Sequence, residues 1–374
     1  MKKIFLLVAM LILAAASTLA QKRMAKQVLA LADSVAVAYQ RTHSDTLDSW
    51  WDNAVFHVGN IELYKVSQNP LLLDYTLSWA RHNNFLGATE PDKRRWKFKE
   101  PLKFHVFVLS AEWEVCFQVY YDLAKITGDT TMTRRAREVF GFQFKTLNVN
   151  FWNWMDALFM AMPGMAKFCN ENPDTAYVRR IGDYFHYFDK DMYDADDGLY
   201  FRDPKYLYPA HKSLKGKKDF WARGNGWVFA AFARVMREWK MQNCDLYRER
   251  FVKMASAIKH LQTEEGYFPN CLKDPEHSKG RESTGTSLFL YGLCCGINDG
   301  ILNRDEFAPI IEKAWKFLSQ VAVQPDYSVG YVYDTPERQV LSYVPSPKTT
   351  TNYGTGCFLL AASEYARYLN MRGR

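Results

Sequence analysis

Residues 150–160 read NFWNWMDALFM, which places one carboxylate, Asp156, among Trp152, Trp154 and a run of Met and Phe. An ionised carboxylate is costly to bury without a partner, so Asp156 has two readings. Near a helix N-terminus it is favoured by the dipole, by about 0.3–1 kcal/mol. Between rings such as Trp154 and Phe159, low-dielectric walls raise a carboxyl pKa and hold its proton closer to neutral pH, which is the tuning a proton donor needs. A second motif, FWARGNGWVF, sets Arg223 at a helix start, the wrong end for the dipole. Its functional reading is an anionic ligand on Arg223, a sugar face on Trp227 one turn later, and close backbone approach at Gly224 and Gly226, with Asn225 between them in the binding set. The structural reading is an Arg paired to a nearby carboxylate, with Trp227 in the core.

Other polar residues gather at helix starts. ESTGTSLF and NYGTGCF present Glu282, Ser283, Thr284, Asn352 and Tyr353. Singly these are capping residues; as a set they could wall a polar mouth. Two basic runs, DKRRWKFK (Lys93 to Lys99) and HKSLKGKKDF (Lys212 to Lys218), read as solvated faces or as a lid over an acidic oligosaccharide. There is no GxGxxG after a strand, no P-loop, no HExxH and no nucleophile elbow, and the eight histidines lack ligand spacing. No cofactor or metal is implied.

The elements that must position these groups are helical. Apolar residues recur at helical spacing over 24–42, and further segments follow at about 50–66, 72–84, 110–126, 130–146, 154–169, 174–190, 223–240, 246–263, 284–297, 304–320 and 353–370. Half are amphipathic, such as TMTRRAREVFGFQFK. The others are apolar nearly all round, such as WVFAAFARVM and GTSLFLYGLCCGI, and belong inside. Twelve helices alternating between the two kinds predict an all-α (α/α)6 barrel of six helical hairpins. In an up-down ring every inner helix starts at the same end, so the residues at those starts converge on one mouth. Gly-aromatic turns, DDGLYFRD, EEGYFPN and SVGYVYD, punctuate the repeat.

Composition bounds the rest. The chain has 374 residues and opens with Lys2, Lys3, an apolar run over Ile4–Ala16 and STLA before Gln21. That pattern predicts a signal peptide over 1–20, one catalytic domain over 21–374, export to the periplasm or beyond, and no membrane anchor. Cleavage would leave 46 basic and 41 acidic residues, too small an excess to suggest nucleic acid. Seven cysteines without regular spacing read as buried free thiols. The oligomeric state is open.

On WMDALFM, FWARGNGW, ESTGTSLFLYGL and YGTGCFLLAASE, in that order, the chain resembles the unsaturated glycuronyl hydrolases, in particular the unsaturated rhamnogalacturonyl hydrolases of glycoside hydrolase family 105, related to family 88. The resemblance implies an (α/α)6 barrel acting on an oligosaccharide that ends in a 4,5-unsaturated uronic acid. It implies that Asp156 protonates C4 of the double bond and assists water at C5, while Trp154, Arg223 and Trp227 line the sugar site. AEWEVCFQVYYDL occupies the place of the family's aspartate-rich segment, so Glu112 or Glu114 stands for the second carboxylate, with Gln118 retained. GLYFRDPKY carries Arg202 where relatives often have a histidine. Two alternatives stand beside this reading: another (α/α)6 enzyme such as a uronate lyase or epimerase, and a non-catalytic toroid binding acidic glycans.

Overall fold

The computed structural model of the chain describes residues 2–98, 103–240, 242–334 and 343–371. Twelve α-helices follow in order: α1 (Lys2–Thr42), α2 (Trp51–Ser67), α3 (Pro70–His82), α4 (Ala111–Thr127), α5 (Arg134–Gln143), α6 (Asp156–Glu171), α7 (Thr175–Met192), α8 (Ala222–Glu238), α9 (Asp245–Ile258), α10 (Thr284–Asn298), α11 (Arg304–Phe317) and α12 (Asn352–Met371). Among the described residues, paired strands are confined to a short antiparallel hairpin, β1 (Tyr193–Asp194) with β2 (Leu199–Tyr200). No described helix is long and apolar enough to cross a membrane.

The even-numbered helices form a closed ring, each packed on the next from α2 to α12 and α12 again on α2. The odd-numbered helices lie outside it. Sequence decides the sorting: every residue of α10 from Thr284 to Ile297 is buried, whereas α7 buries a single stripe that includes Ile181, Tyr184, Phe185 and Phe188. Most of the predicted segments match these helices within about three residues; the first, predicted over 24–42, runs unbroken from Lys2 to Thr42, the 246–263 segment ends at Ile258, and the 130–146 segment begins as a 3₁₀ turn over Thr130–Thr133. The ring closes through glycine. A Cβ on Gly59 would stand 2.0 Å from the Gly356 carbonyl oxygen, and one on Gly356 2.4 Å from that of Val55, so only glycine lets α2 and α12 approach this closely.

Helix ends use local chemistry. Asn69 and Asp174 accept from the amides of Leu71 and Ala176, Pro70 opens α3, and Gly128 ends α4 with φ of 80°. The end of the barrel opposite the inner-helix starts is closed by charge. Lys65 and Lys167 both meet Asp122, at 3.0 and 2.7 Å. Arg234 pairs with Glu62, and Arg237 forks onto Glu364, which also accepts from Asn298. Each of the six inner helices contributes to this base. All seven cysteines are free and buried.

Candidate active site

The starts of five inner helices open into one cleft of about 930 Å³. Trp51 and Asp52 come from α2, Glu112 from α4, Asp156 from the first position of α6 with Trp154 just before it, Arg223 from α8 and Tyr353 from α12. The segment after β2 adds Arg202 to Lys205, and the end of α7 adds Tyr187 and Asp191. This size falls in the range of ligand clefts and exceeds what a single pyranose ring fills.

Asp156 is the first residue of α6, so it does sit at a helix N-terminus, and it also faces the cleft. Its Oδ2 is buried with no hydrogen-bond partner. Burial holds its carboxyl above the usual carboxylate range, against the opposing charges of Arg202 and Arg223. Glu112 is buried, with Oε2 likewise unpartnered. Its carboxyl is pushed up to about 8 by burial first and then by the Asp156 charge; Arg202 opposes this and Asp52 adds to it. Asp52 is itself raised by burial. The cleft therefore holds acids that bind their protons more tightly than free carboxyls do, the direction of tuning a proton donor needs.

Of the two glutamates weighed for the second carboxylate, only Glu112 lines the cleft. Glu114 lies two residues on, fully buried and facing away, with neither oxygen hydrogen-bonded. Arg223 is 4% exposed. Its guanidinium carbon lies 4.4 Å from the Trp221 ring centre and 5.2 Å from that of Tyr353, and Nη1 donates to the Tyr333 carbonyl and the Tyr353 hydroxyl. Arg202 pairs with Asp203 at 2.5 Å, and its main-chain carbonyl accepts from the amide of Met155, fixing the turn that leads into Asp156.

Three residues expected to bind substrate lie elsewhere. Trp227 is fully buried against Phe159, ring centres 4.6 Å apart, because one turn beyond Arg223 the helix has already entered the barrel wall. Asn225 bonds both main-chain groups of Tyr200 and the Trp221 carbonyl, so it clasps the β1–β2 hairpin to α8. Gln118 donates to the Phe159 carbonyl at 2.7 Å. That carbonyl is left without its helical partner by Pro163, four residues on, which has no N–H. Gly224 and Gly226 make room for Met155 and Leu288, not for a ligand. Glu282 caps α10, its oxygens accepting from the amides of Thr284 and Gly285. The basic runs are tied down: Lys93 meets Glu138, Arg95 meets Glu90, and Lys218 meets Asp194 and Asp197; Lys99 lies outside the described residues.

Reading the sequence did not single out Trp51, Asp52, Trp221 or Asp334. The first two stand at the start of a predicted inner helix, and the rule applied to the other starts finds them. Asp334 arrives on a loop, at the end of the SVGYVYD turn, which was read only as punctuation of the repeat.

One group among the described residues has metal-ligand reach: the facing atoms of His211, Asp219 and His277 lie within 4.8 Å of one another. His277 Nδ1, however, accepts the Leu214 amide, which puts the neutral ring's proton on Nε2, the nitrogen facing Asp219. Metal-binding histidines have the reverse arrangement. The group is a hydrogen-bonded clip between two loops and does not fit a cation.

The ring of helices and its acid-lined mouth place the molecule among the (α/α)6 glycoside hydrolases. The chain belongs to Glycosyl Hydrolase Family 88, whose profile matches residues 21–369. A glycosyl hydrolase family 88 structure from Bacteroides vulgatus is similar at 41% identity and TM-score 0.89, over 92% of this chain and 99% of that one. A solved structure named as a polysaccharide lyase is similar at 40% identity and TM-score 0.90, over 92% and 98%. An unsaturated 3S-rhamnoglycuronyl hydrolase from Alteromonas sp. (strain LOR) is 36% identical over 218 residues, 57% of this chain and 51% of that protein. The chain spans about half the length of the curated relatives it matches.

Proposed function

We propose that the protein removes a 4,5-unsaturated uronic acid from the non-reducing end of oligosaccharides made by polysaccharide lyases. The observation that carries this is the pair of carboxyls, Asp156 and Glu112, both raised above the usual range and both facing one cleft with Arg202 and Arg223. In this reading Asp156 gives its proton to C4 of the C4=C5 enol ether. Positive charge develops at C5 and the ring oxygen, water adds at C5, and its proton returns to Asp156. The hemiketal opens to a ketone at C5, and C1, now a hemiacetal, expels the neighbouring sugar. Glu112, neutral beside Asp156, withholds a second negative charge from the acid. The family assignment and the printed names of the hydrolase relatives support this reading. The first twenty residues support export, which we include in the proposal.

The relative named as a polysaccharide lyase supports a second reading, β-elimination. That reaction needs a base. Tyr353 is the ring hydroxyl beside Arg223, and burial raises its pKa, the direction that disfavours a base. Ultraviolet absorbance of the conjugated uronate separates the two: a hydrolase removes it from lyase-generated oligosaccharides, whereas a lyase creates it from intact polysaccharide. Loss of absorbance is expected, and Asp156→Asn should slow it by about 100-fold or more. Gain of absorbance, or an Asp156→Asn variant as fast as wild type, overturns the assignment. Binding without turnover would favour a glycan-binding toroid.

A further inference from the structure

We propose that Arg202 receives the carboxylate of the uronate, and that this contact makes the cleft take up the proton the acid step spends. The inference rests on the hydrolase reading above.

The cleft offers two guanidiniums, and they are not equivalent. Arg223 is 4% exposed, lies against the rings of Trp221 and Tyr353, gives Nη1 to two protein oxygens, and is the leading positive charge on the buried Glu282. It is largely committed to holding α8, α10 and α12 together. Arg202 is more open, with 22% of its side chain exposed. Nη1 is held by Asp203 and Nε, like that of Arg223, is buried without a partner, so it is exposure that separates the two guanidiniums. The rings of Tyr206 and Trp221 lie 5.3 and 5.9 Å from its guanidinium carbon, and its main chain is bonded to Met155 next to Asp156. An anion entering the cleft meets this fork beside the acid.

The charges around the pair set the consequence. Asp156 feels Arg202, Arg223 and Asp203; Glu112 feels Asp156, Arg202 and Asp52; Tyr187, Asp191, Lys205, Asp334 and Tyr353 are the other titratable groups of the wall. For both acids Arg202 is the foremost charge that favours the ionised form. A carboxylate seated on Arg202 offsets that charge, so the acids bind protons more tightly and one moves from solvent to the pair. Because the pair titrates as a unit, the count belongs to the site and not to one residue. The acid is thus loaded when a uronate is present, and a neutral sugar loads it less.

Calorimetry in buffers of different ionisation enthalpy counts these protons, with saturated D-glucuronate and neutral methyl glucoside as probes between about pH 5 and 8. The glucoside reports what covering the walls does alone. Glucuronate should take up more protons than the glucoside, by about 0.3 to 1 per site. Arg202→Gln should weaken glucuronate about 10- to 100-fold, leave the glucoside within about twofold, and abolish the excess uptake. Arg202→Lys, which keeps the charge, should retain part of the excess and guards against a folding defect, since the bond to Met155 uses the main chain. Equal uptake for the two sugars, unchanged discrimination in Arg202→Gln, or no glucuronate binding by the wild type overturns the proposal. Hydrolysis by the wild type without excess uptake sinks this inference and spares the function.

Discussion

Glu114 gives the sharpest test of the electrostatics. Its carboxyl is fully buried, neither oxygen has a hydrogen bond, and burial alone pushes it from 4.5 up to about 8. The unfolded chain therefore releases a proton above 4.5 that the native state keeps until about 8. Stability is greatest below the lower value and falls as pH rises through that window, by roughly 1.4 kcal/mol per unit. At pH 7 the accumulated cost is roughly 3 kcal/mol. Gln has nearly the shape of the neutral acid and does not titrate, so Glu114→Gln removes the cost. Thermal denaturation at pH 8 should show the variant melting on the order of 5 °C above wild type. The difference should shrink as pH falls and vanish near pH 4, where the unfolded acid is also protonated. Turnover should stay within about twofold, because Glu114 lies outside the cleft, whereas Glu112→Gln should change it. A variant no more stable than wild type at pH 8 would refute the reasoning, since it would mean that the native carboxyl is ionised and compensated.

Two further outcomes follow from the packing. Against the cost of burial, Lys167 and Lys65 hold the Asp122 carboxyl below the usual range, so its stabilisation is present above that range and is lost as pH falls through it; Lys167→Met should cost about 3–5 kcal/mol at pH 7 and flatten the acid limb of a melting-temperature profile. Trp227→Phe should lower stability by about 1–3 kcal/mol and leave KM within about twofold; a tenfold rise in KM at full stability would put the indole in contact with sugar after all.

The fold was legible because its signal is local. A helix apolar all round has nowhere to go but inside, and six of them alternating with striped helices leave few arrangements other than a ring within a ring. The convergence of helix starts followed from the same alternation, and it pointed to Asp156, Trp154 and Arg223, whereas Glu112 was reached only through the family resemblance. Proximity to a motif was a poorer guide. Trp227 shares a motif with Arg223 but sits one turn deeper. Gln118 looked like a ligand and instead serves the carbonyl that Pro163 leaves open in the neighbouring helix, a need no sequence window contains.

What the chain's order of residues determined by itself is which segments coil, which of them are buried, and at which end the polar residues collect. Tertiary structure alone decided which side of a given turn faces the mouth, and so chose Glu112 over Glu114. It also set the charges near each acid: Arg202 is 46 positions from Asp156 and 90 from Glu112, yet it is the leading positive charge on both. Helical periodicity is written within a few residues, whereas a carboxyl's affinity for its proton depends on water exclusion and on charges contributed by distant helices, which exist only once the ring has closed.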